Sequence, residues 1–219
     1  YPEFLPGTVR PLQPSRIGQL TDALRARTAV DVLDLRDPLE ARKAVERVYH
    51  RTDTHWNNRG ALAASLAILE WMARVRPGLA VPSRDAFEFY EADGQGHDLP
   101  RMLGLESLVA ERVLEVRPRR PRQFRVVEPA GAGPENETGR LVTAHPDASL
   151  PRVVVFRDSF MSSLVPLVAE HCSRCVFLWQ KDVDPEVIVR EAPDLVIHQM
   201  VGRRLQSYLP YDAVSGLTR

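Results

Sequence analysis

The sequence predicts an α/β fold, an SGNH-hydrolase-like parallel sheet covered by helices on both faces. The main evidence for this fold is the alternation of strand and helix patterns in the last third of the chain. Apolar runs without polar alternation occur at 153–156, 176–179 and 195–197, and a segment with helical signals follows each of them. Such strands are typical of a parallel sheet that is buried on both sides. Residues 80–150 differ, because short candidate strands alternate there with turn-rich stretches, and we expect a β-rich insertion.

The remaining elements are predicted from capping residues and from the spacing of apolar residues. Helices are predicted after Ser15, from Asp37, after Asn57 or Asn58, and over 160–171, 185–191 and 202–208. Further strands are predicted over 29–35, 87–90, 113–116, 124–127 and 141–143. The helix over 58–75 is the longest, because its apolar residues keep a helical spacing until Pro77-Gly78 ends it.

Length and charge narrow the class of protein further. A chain of 219 residues can bury a sizeable core, and we predict one domain over residues 1–219. The 29 basic and 29 acidic side chains cancel, so neither nucleic acid nor an anionic membrane is favoured as the main partner. No run approaches the ~20 apolar residues of a membrane span. Because the chain opens at Tyr1 without a methionine, we expect an N-terminal segment, with any leader or anchor, to lie outside this sequence.

A serine directly after a predicted buried strand is the strongest local signal. Ser159 follows the strand at 153–156 and stands at the start of a predicted helix. This position exposes the hydroxyl at the carboxyl edge of the sheet, where open α/β folds keep their sites. A helix start also supplies free backbone N–H groups and a positive dipole end, which stabilise an oxyanion. At this point the alternative, that Ser159 only caps a helix, stays open.

The second signal is the segment Asp53-Thr54-His55. A serine becomes a good nucleophile when a base takes its proton, and that base must be oriented by an acceptor. His55 and Asp53 supply both groups from one segment, although they could instead brace the helix over 58–75. A metal site with His50 is a further alternative, but the segment lacks a third ligand from another element. We therefore expect no metal and no cofactor.

Two other patterns have weaker functional interpretations. Cys172 and Cys175 form a C-x-x-C motif without a second pair, which favours buried thiols or a local disulfide over a zinc site. The arginine-rich run over 117–122 could contact an acidic polysaccharide through guanidinium–carboxylate pairs, or could be a solvated hairpin loop.

The run from Tyr49 to Ala61, which contains Asp53-Thr54-His55-Trp56, resembles the D-T-H-W block of the alginate O-acetyltransferase family, the AlgJ/AlgX-type SGNH-hydrolase-like domains. Three further stretches are similar to segments of this family, in the same order: 1–6, 98–103 and 193–205. Together they span nearly the whole chain.

The resemblance implies a role for each residue of the site. Ser159 would be the nucleophile, His55 the general base and acid, and Asp53 the residue that orients the histidine. Three neighbours are assigned to substrate binding: Trp56, Asn57 and Arg157. Arg157 stands where a glycine often precedes the Asp-Ser pair in the family.

The implied function is O-acetylation of a bacterial exopolysaccharide through an acetyl-serine, as in alginate biosynthesis. The acetyl donor would be supplied by a membrane-bound acyltransferase, and the setting would be the periplasm, with a possible inner-membrane anchor outside this sequence. Two alternatives stay open: an acetylesterase with the same triad, and a non-catalytic polysaccharide-binding or scaffold protein of the secretion machinery.

Overall fold

The computed structural model describes residues 1–11, 14–95, 97–128 and 139–207. The described residues form two compact units, one from the two ends of the chain, 1–34 and 200–207, and one from residues 35–199. Across these described residues, no helix combines the length and the apolar character that are needed to cross a bilayer.

The unit formed by the chain ends contains helix α1, Arg16–Arg27, and two short 3-10 turns, Pro2–Phe4 and Gly202–Ser207. Ser15 caps α1 as predicted, because its side chain accepts a hydrogen bond of 3.1 Å from the Gly18 N–H. The predicted strand over 29–35 is wrong, since these residues form no β-ladder. Val30 is 63% exposed, and a strand needs a neighbouring strand to satisfy its backbone groups.

The unit over residues 35–199 contains all the strands described in the structure. Its helices are α2 Arg36–Lys43, α3 Asn58–Val75, α4 Asp98–Met102, α5 Val165–Ala169 and α6 Pro185–Glu191. Its strands are β1 Phe87–Gln95, β2 Ala110–Pro118, β3 Arg125–Glu128, β4 Arg140–Ala144, β5 Arg152–Arg157, β6 Arg174–Trp179 and β7 Leu195–His198. Short 3-10 turns cover Arg84–Ala86 and Ser159–Met161.

The main sheet has five strands in the order β3-β4-β6-β5-β7, and it is mixed. Strand β5 pairs in parallel with β6 and β7, whereas β4 is antiparallel to β6 and β3 is antiparallel to β4. The predicted all-parallel sheet is therefore limited to three strands. Strands β3 and β4, which were expected in a β-rich insertion over 80–150, belong to this main sheet. Of the strands in that range, only β1 and β2 form a sheet of their own, which is antiparallel. Antiparallel strands at the edge of a parallel sheet are common.

The apolar core lies against the parallel strands. One cluster combines sheet residues and α6: Val142, Val154, Phe156, Val176, Leu178 and Val187, with Ile188 packed against it. The intervening residues of β5 and β6 point to the other side, and Val153, Val155, Cys175 and Phe177 are also buried. This burial explains why these strands read as continuous apolar runs in the sequence.

The two cysteines lie in this core as free, fully buried thiols. Burial, together with the neighbouring Cys172 thiol, raises the pKa of Cys175 well above its ordinary value. A thiol that stays protonated is a weak nucleophile and a weak metal ligand. The C-x-x-C motif therefore serves packing.

Glu191, at the end of α6, is a buried carboxylate that joins two strands. It is 6% exposed and accepts hydrogen bonds from Arg140 Nη2 of β4 at 2.6 Å and from Arg174 Nε of β6 at 3.0 Å. Burial alone raises its pKa, but the hydrogen bonds from these two arginines outweigh that effect, so the pKa of Glu191 is lowered.

We expect Glu191→Gln to lower the free energy of unfolding at neutral pH by about 2 kcal/mol, the size of a hydrogen bond to a charged group. Because the folded-state pKa is lowered, this stabilisation is present above the ordinary value of 4.5 and is lost as the pH falls through the folded-state pKa. Urea unfolding from pH 7 to pH 3 should therefore show a smaller acid-dependent loss in Glu191→Gln than in the wild type. Glu186→Gln, exposed on the same helix, is the control and should behave like the wild type.

Candidate active site

Ser159 lies at the carboxyl edge of the main sheet, two residues after the last residue of β5. It begins the 3-10 turn Ser159–Met161, and Asp158 caps that turn by accepting from the Phe160 N–H at 2.9 Å. The predicted continuous helix over 160–171 is wrong, because α5 begins only at Val165 with Pro166 in its first turn. Proline lacks an N–H and clashes with the carbonyl four residues earlier. A developing oxyanion would therefore meet backbone N–H groups of one short turn and no long helix dipole.

Asp158 is held away from the triad by Gln199, which follows β7. The Asp158 carboxylate accepts from Gln199 Nε2 at 3.0 Å, and the Asp158 N–H donates to Gln199 Oε1 at 3.1 Å. Asp158 is 2% exposed, so its role is to fix the turn that carries Ser159. Sequence reasoning missed Gln199, and its position just after a parallel strand was the one available signal.

The loop that carries His55 is fixed by a backbone bridge between its two ends and by hydrogen bonds to a carboxylate of β2. An isolated β-bridge pairs Tyr49 with Trp56, the residues on either side of the loop. Glu111 of β2 accepts from the N–H groups of Arg51 at 2.8 Å and Thr52 at 3.0 Å, and from Thr52 Oγ1 at 2.6 Å. Burial alone raises the pKa of Glu111, but these hydrogen bonds outweigh it and the pKa is lowered. The ionised carboxylate therefore fixes the loop.

The three residues proposed as a triad form a continuous chain of hydrogen bonds. His55 Nε2 lies 2.8 Å from Ser159 Oγ, although the two residues are 104 positions apart in sequence. His55 Nδ1 lies 2.7 Å from Asp53 Oδ1, which also accepts from the His55 backbone N–H at 3.0 Å. With the proton on Nδ1 facing Asp53, Nε2 is free to accept the serine proton.

Electrostatics keep Asp53 in the form that this arrangement needs. Burial alone raises its pKa, but the hydrogen bonds from the His55 ring and backbone outweigh that effect, and the pKa of Asp53 is lowered. Asp53 is therefore ionised at neutral pH and can stabilise a positive imidazolium. Asp98 is a second carboxylate nearby, but its Oδ2 lies 3.8 Å from His55 Nδ1, beyond hydrogen-bond distance.

Aromatic packing orients the histidine. The Phe160 ring lies 4.7 Å from the imidazole of His55 and 5.0 Å from the ring of Trp56 in an edge-on arrangement. Trp56 Nε1 donates to Ser163 Oγ at 2.7 Å, so this indole is held by a hydrogen bond as well as by the contact with Phe160. Phe160, the residue after Ser159, thus packs against His55, whose Nε2 faces the Ser159 hydroxyl.

The three residues assigned to substrate binding are buried, and their role in binding a substrate stays a prediction. Trp56 and Arg157 are each 5% exposed, and Asn57 is 1% exposed. Asn57 caps α3 by accepting from the N–H groups of Arg59 and Gly60, each at 3.0 Å. The Arg157 guanidinium lies 4.5 Å over the ring of Trp179. Side chains held in this way support the site and offer little surface to a substrate.

The arginine-rich run over 117–122 is partly neutralised. Arg117 Nη2 lies 2.6 Å from Glu88 Oε2, and Arg119 Nη1 lies 3.3 Å from Glu88 Oε1. Arg117 lies in β2 opposite Glu88 and Arg119 follows that strand, at the open end of the β1–β2 hairpin, so the expectation of a hairpin loop over 117–122 is wrong. Both arginines are exposed, and contact with a polysaccharide stays a prediction.

Two groups of described residues bring three possible metal ligands within 4.8 Å of one another. The first is Asp53, His55 and Asp98, where the triad hydrogen bonds already use the imidazole. The second is His50, His97 and Glu111. His50 was expected to group with Asp53 and His55 in any metal site, whereas it lies against His97 and Glu111.

The mixed sheet with its helices defines an α/β protein, in which Asp53, His55 and Ser159 have the relative arrangement of a Ser-His-Asp triad. Residues 1–162 match the family model described as the SGNH hydrolase-like domain of acetyltransferase AlgX, and the chain belongs to this family. The resemblance inferred from the D-T-H-W block is thereby confirmed. No curated protein matches the chain significantly.

Solved structures share the fold at low sequence identity. A DHHW family protein from Eubacterium siraeum has a TM-score of 0.70 at 15% identity, over 92% of this chain and 74% of that one. Bacillus cereus PatB1 has a TM-score of 0.66 at 14% identity, over 92% of this chain and 78% of that one. The O-acetyltransferase domain of Pseudomonas putida AlgJ has a TM-score of 0.54 at 20% identity, over 99% of this chain and 77% of that one.

Proposed function

We propose that this protein is an O-acetyltransferase that moves an acetyl group through Ser159 to a hydroxyl of a bacterial exopolysaccharide. The observation that carries the proposal is the 2.8 Å contact between His55 Nε2 and Ser159 Oγ, with Asp53 bonded to the other ring nitrogen. Membership in the AlgX-type acetyltransferase family supports acetyl as the transferred group.

In the first half-reaction, Ser159 Oγ attacks the carbonyl carbon of the acetyl donor while His55 Nε2 takes the hydroxyl proton. Asp53 stabilises the resulting imidazolium through Nδ1. The Ser159 N–H opens the 3-10 turn, so it has no partner within that turn and can donate to the oxyanion. Collapse of the tetrahedral intermediate expels the donor's leaving group, which takes the proton from His55, and leaves acetyl-Ser159.

In the second half-reaction, the acceptor hydroxyl gives its proton to His55 Nε2 and attacks the acetyl carbon. The new ester bond forms as the bond to Ser159 Oγ breaks, and Ser159 recovers its proton from His55. An acetylesterase would follow the same path with water in place of the sugar. The two activities therefore differ only in which hydroxyl reaches acetyl-Ser159.

The biological setting follows from the family and extends the proposal. The acceptor would be an acidic exopolysaccharide such as alginate, and a membrane-bound acyltransferase would deliver the acetyl group. The reaction would take place in the periplasm of a Gram-negative bacterium, with any anchor outside this sequence. PatB1 and the AlgJ domain share the fold, and the second is described as an O-acetyltransferase.

The test is incubation with an activated acetyl ester, with and without polyuronate oligosaccharides. Intact-mass spectrometry should detect one added acetyl group that maps to Ser159, and the oligosaccharide should gain acetyl esters in the same mixture. Acetate as the sole product would favour the esterase. Polyuronate binding without any acetyl adduct at Ser159 or turnover would contradict an enzyme and favour the scaffold protein.

A further inference from the structure

We propose that His50, His97 and Glu111 form a zinc-binding site beside the candidate active site. One ligand atom from each of these residues lies within 4.8 Å of the other two. None of the three residues belongs to the triad, and none serves a step of the proposed acetyl transfer.

The ligands come from three different parts of the fold. His50 lies in the loop before α3, His97 lies between β1 and α4, and Glu111 lies on β2. His50 Nδ1 is 3.8 Å from Glu111 Oε1, and the two imidazole rings have centroids 4.5 Å apart. An ion about 2.1 Å from each ligand needs ligand atoms about 3.4 Å apart in a tetrahedron. The 3.8 Å separation between His50 Nδ1 and Glu111 Oε1 is close to that spacing.

Two ring nitrogens in the cluster are buried without a hydrogen bond. In the part of the chain that the structure describes, His50 Nδ1 and His97 Nε2 have no hydrogen-bond partner. Buried polar atoms are normally satisfied, so this pair of vacant nitrogens needs an explanation. A cation that accepts a lone pair from each nitrogen satisfies both at once.

The surroundings supply the support that metal ligands usually have. Glu111 is anchored by hydrogen bonds from Arg51 and Thr52, and the His97 backbone N–H donates to Thr52 Oγ1 at 3.2 Å. With zinc on Nε2, the His97 proton sits on Nδ1, which faces Asp53 Oδ2 at 3.9 Å. Metal-bound histidines commonly direct their other nitrogen to a carboxylate.

The ligand set favours a metal ion that binds imidazole. Two imidazoles with one carboxylate suit zinc, whereas calcium and magnesium prefer oxygen ligands. The side chain of Glu111 is 3% exposed and that of His50 is 11% exposed, but that of His97 is 33% exposed. His97 is therefore the least buried of the three proposed ligands.

The test is zinc titration of the tag-free protein after treatment with a chelator, in competition with a chromophoric zinc indicator. We expect one zinc ion per chain, unaffected by millimolar magnesium, and a rise in the melting temperature on binding. His50→Gln and His97→Gln should each weaken the affinity by about 100-fold or more, and zinc should no longer raise their melting temperatures. Each variant is checked for folding by circular dichroism without zinc. Because there are two variants, misfolding of one of them does not decide the test.

Two control variants locate the ion. His198→Gln removes an exposed histidine outside the cluster, and Asp98→Asn removes a carboxylate of the other ligand group; both should retain the wild-type affinity. Absence of zinc binding to the wild type would overturn the proposal. So would unchanged affinity in both His50→Gln and His97→Gln, or a loss in Asp98→Asn that exceeds theirs.

Discussion

Ser159→Ala is expected to abolish release of nitrophenol from nitrophenyl acetate, with a loss in kcat of about 10⁴-fold or more, because removing a nucleophile disables the whole triad. The fold should be unaffected. The hydroxyl is hydrogen-bonded to His55 and the residue is half-buried, so the melting temperature should stay close to that of the wild type. Steady-state kinetics and thermal melting measured on the same preparation check both parts.

A neighbouring serine offers a matched control. Ser162 lies three residues further on, is exposed, and accepts a hydrogen bond from Arg157 Nη1 at 2.8 Å without contacting His55. Ser162→Ala should keep kcat within a few-fold of the wild type, since it removes the same hydroxyl from the wrong position. Equal losses in the two variants, or full activity in Ser159→Ala, would contradict Ser159 as the nucleophile.

Asp53→Asn should reduce kcat by about 10⁴-fold, the size of effect known when the orienting aspartate of a serine-protease triad becomes asparagine. The asparagine can donate its amide hydrogen to His55 Nδ1, which moves the ring proton to Nε2. A protonated Nε2 cannot take the serine proton, although the 2.7 Å contact could persist. The KM for a small acetyl ester should change little, because the substitution acts on the chemical step.

Asp98→Asn is the comparison that separates the two carboxylates near His55. Asp98 Oδ2 is 3.8 Å from His55 Nδ1, so the substitution breaks no hydrogen bond to the ring, and kcat should fall by only a few-fold. If Asp98→Asn were the more damaging of the two, Asp98 would be the orienting carboxylate and the proposed triad would be wrong. Kinetics of both variants at several pH values would decide between them.

Features with a local cause were predictable from the sequence. Asn57 caps α3, and the helix runs from Asn58 to Val75 as predicted, because capping and apolar spacing act within a few residues. The proximity of Asp53 and His55 follows from two positions of separation in one loop. The rule that open α/β folds keep their sites at the carboxyl edge of the sheet predicted the position of Ser159, whereas its pairing with His55 was implied by the family resemblance.

Features that depend on distant partners were not predictable. The strand over 29–35 has the right composition, but no neighbouring strand is available for it in the described structure. Strands β3 and β4 looked like part of an insertion, whereas pairing with β6 draws them into the main sheet. Trp56 was assigned to substrate binding, and its contacts with Ser163 and Phe160 in the interior could not be predicted from the sequence.

The sequence by itself indicated the starts of α1 and α3 and the apolar strands β5, β6 and β7, since caps and apolar spacing depend on neighbours within a few residues. It also supplied Asp53, His55 and Ser159 as candidates, which the family resemblance joined into one site. Only the tertiary structure decided that His55 Nε2 lies 2.8 Å from a serine 104 positions away. It also decided that Glu111 accepts hydrogen bonds from the loop that carries His55, and that Gln199 donates a hydrogen bond to Asp158. Long-range hydrogen bonds of this kind leave no periodic trace in a sequence, because their geometry exists only once the distant segments have packed together.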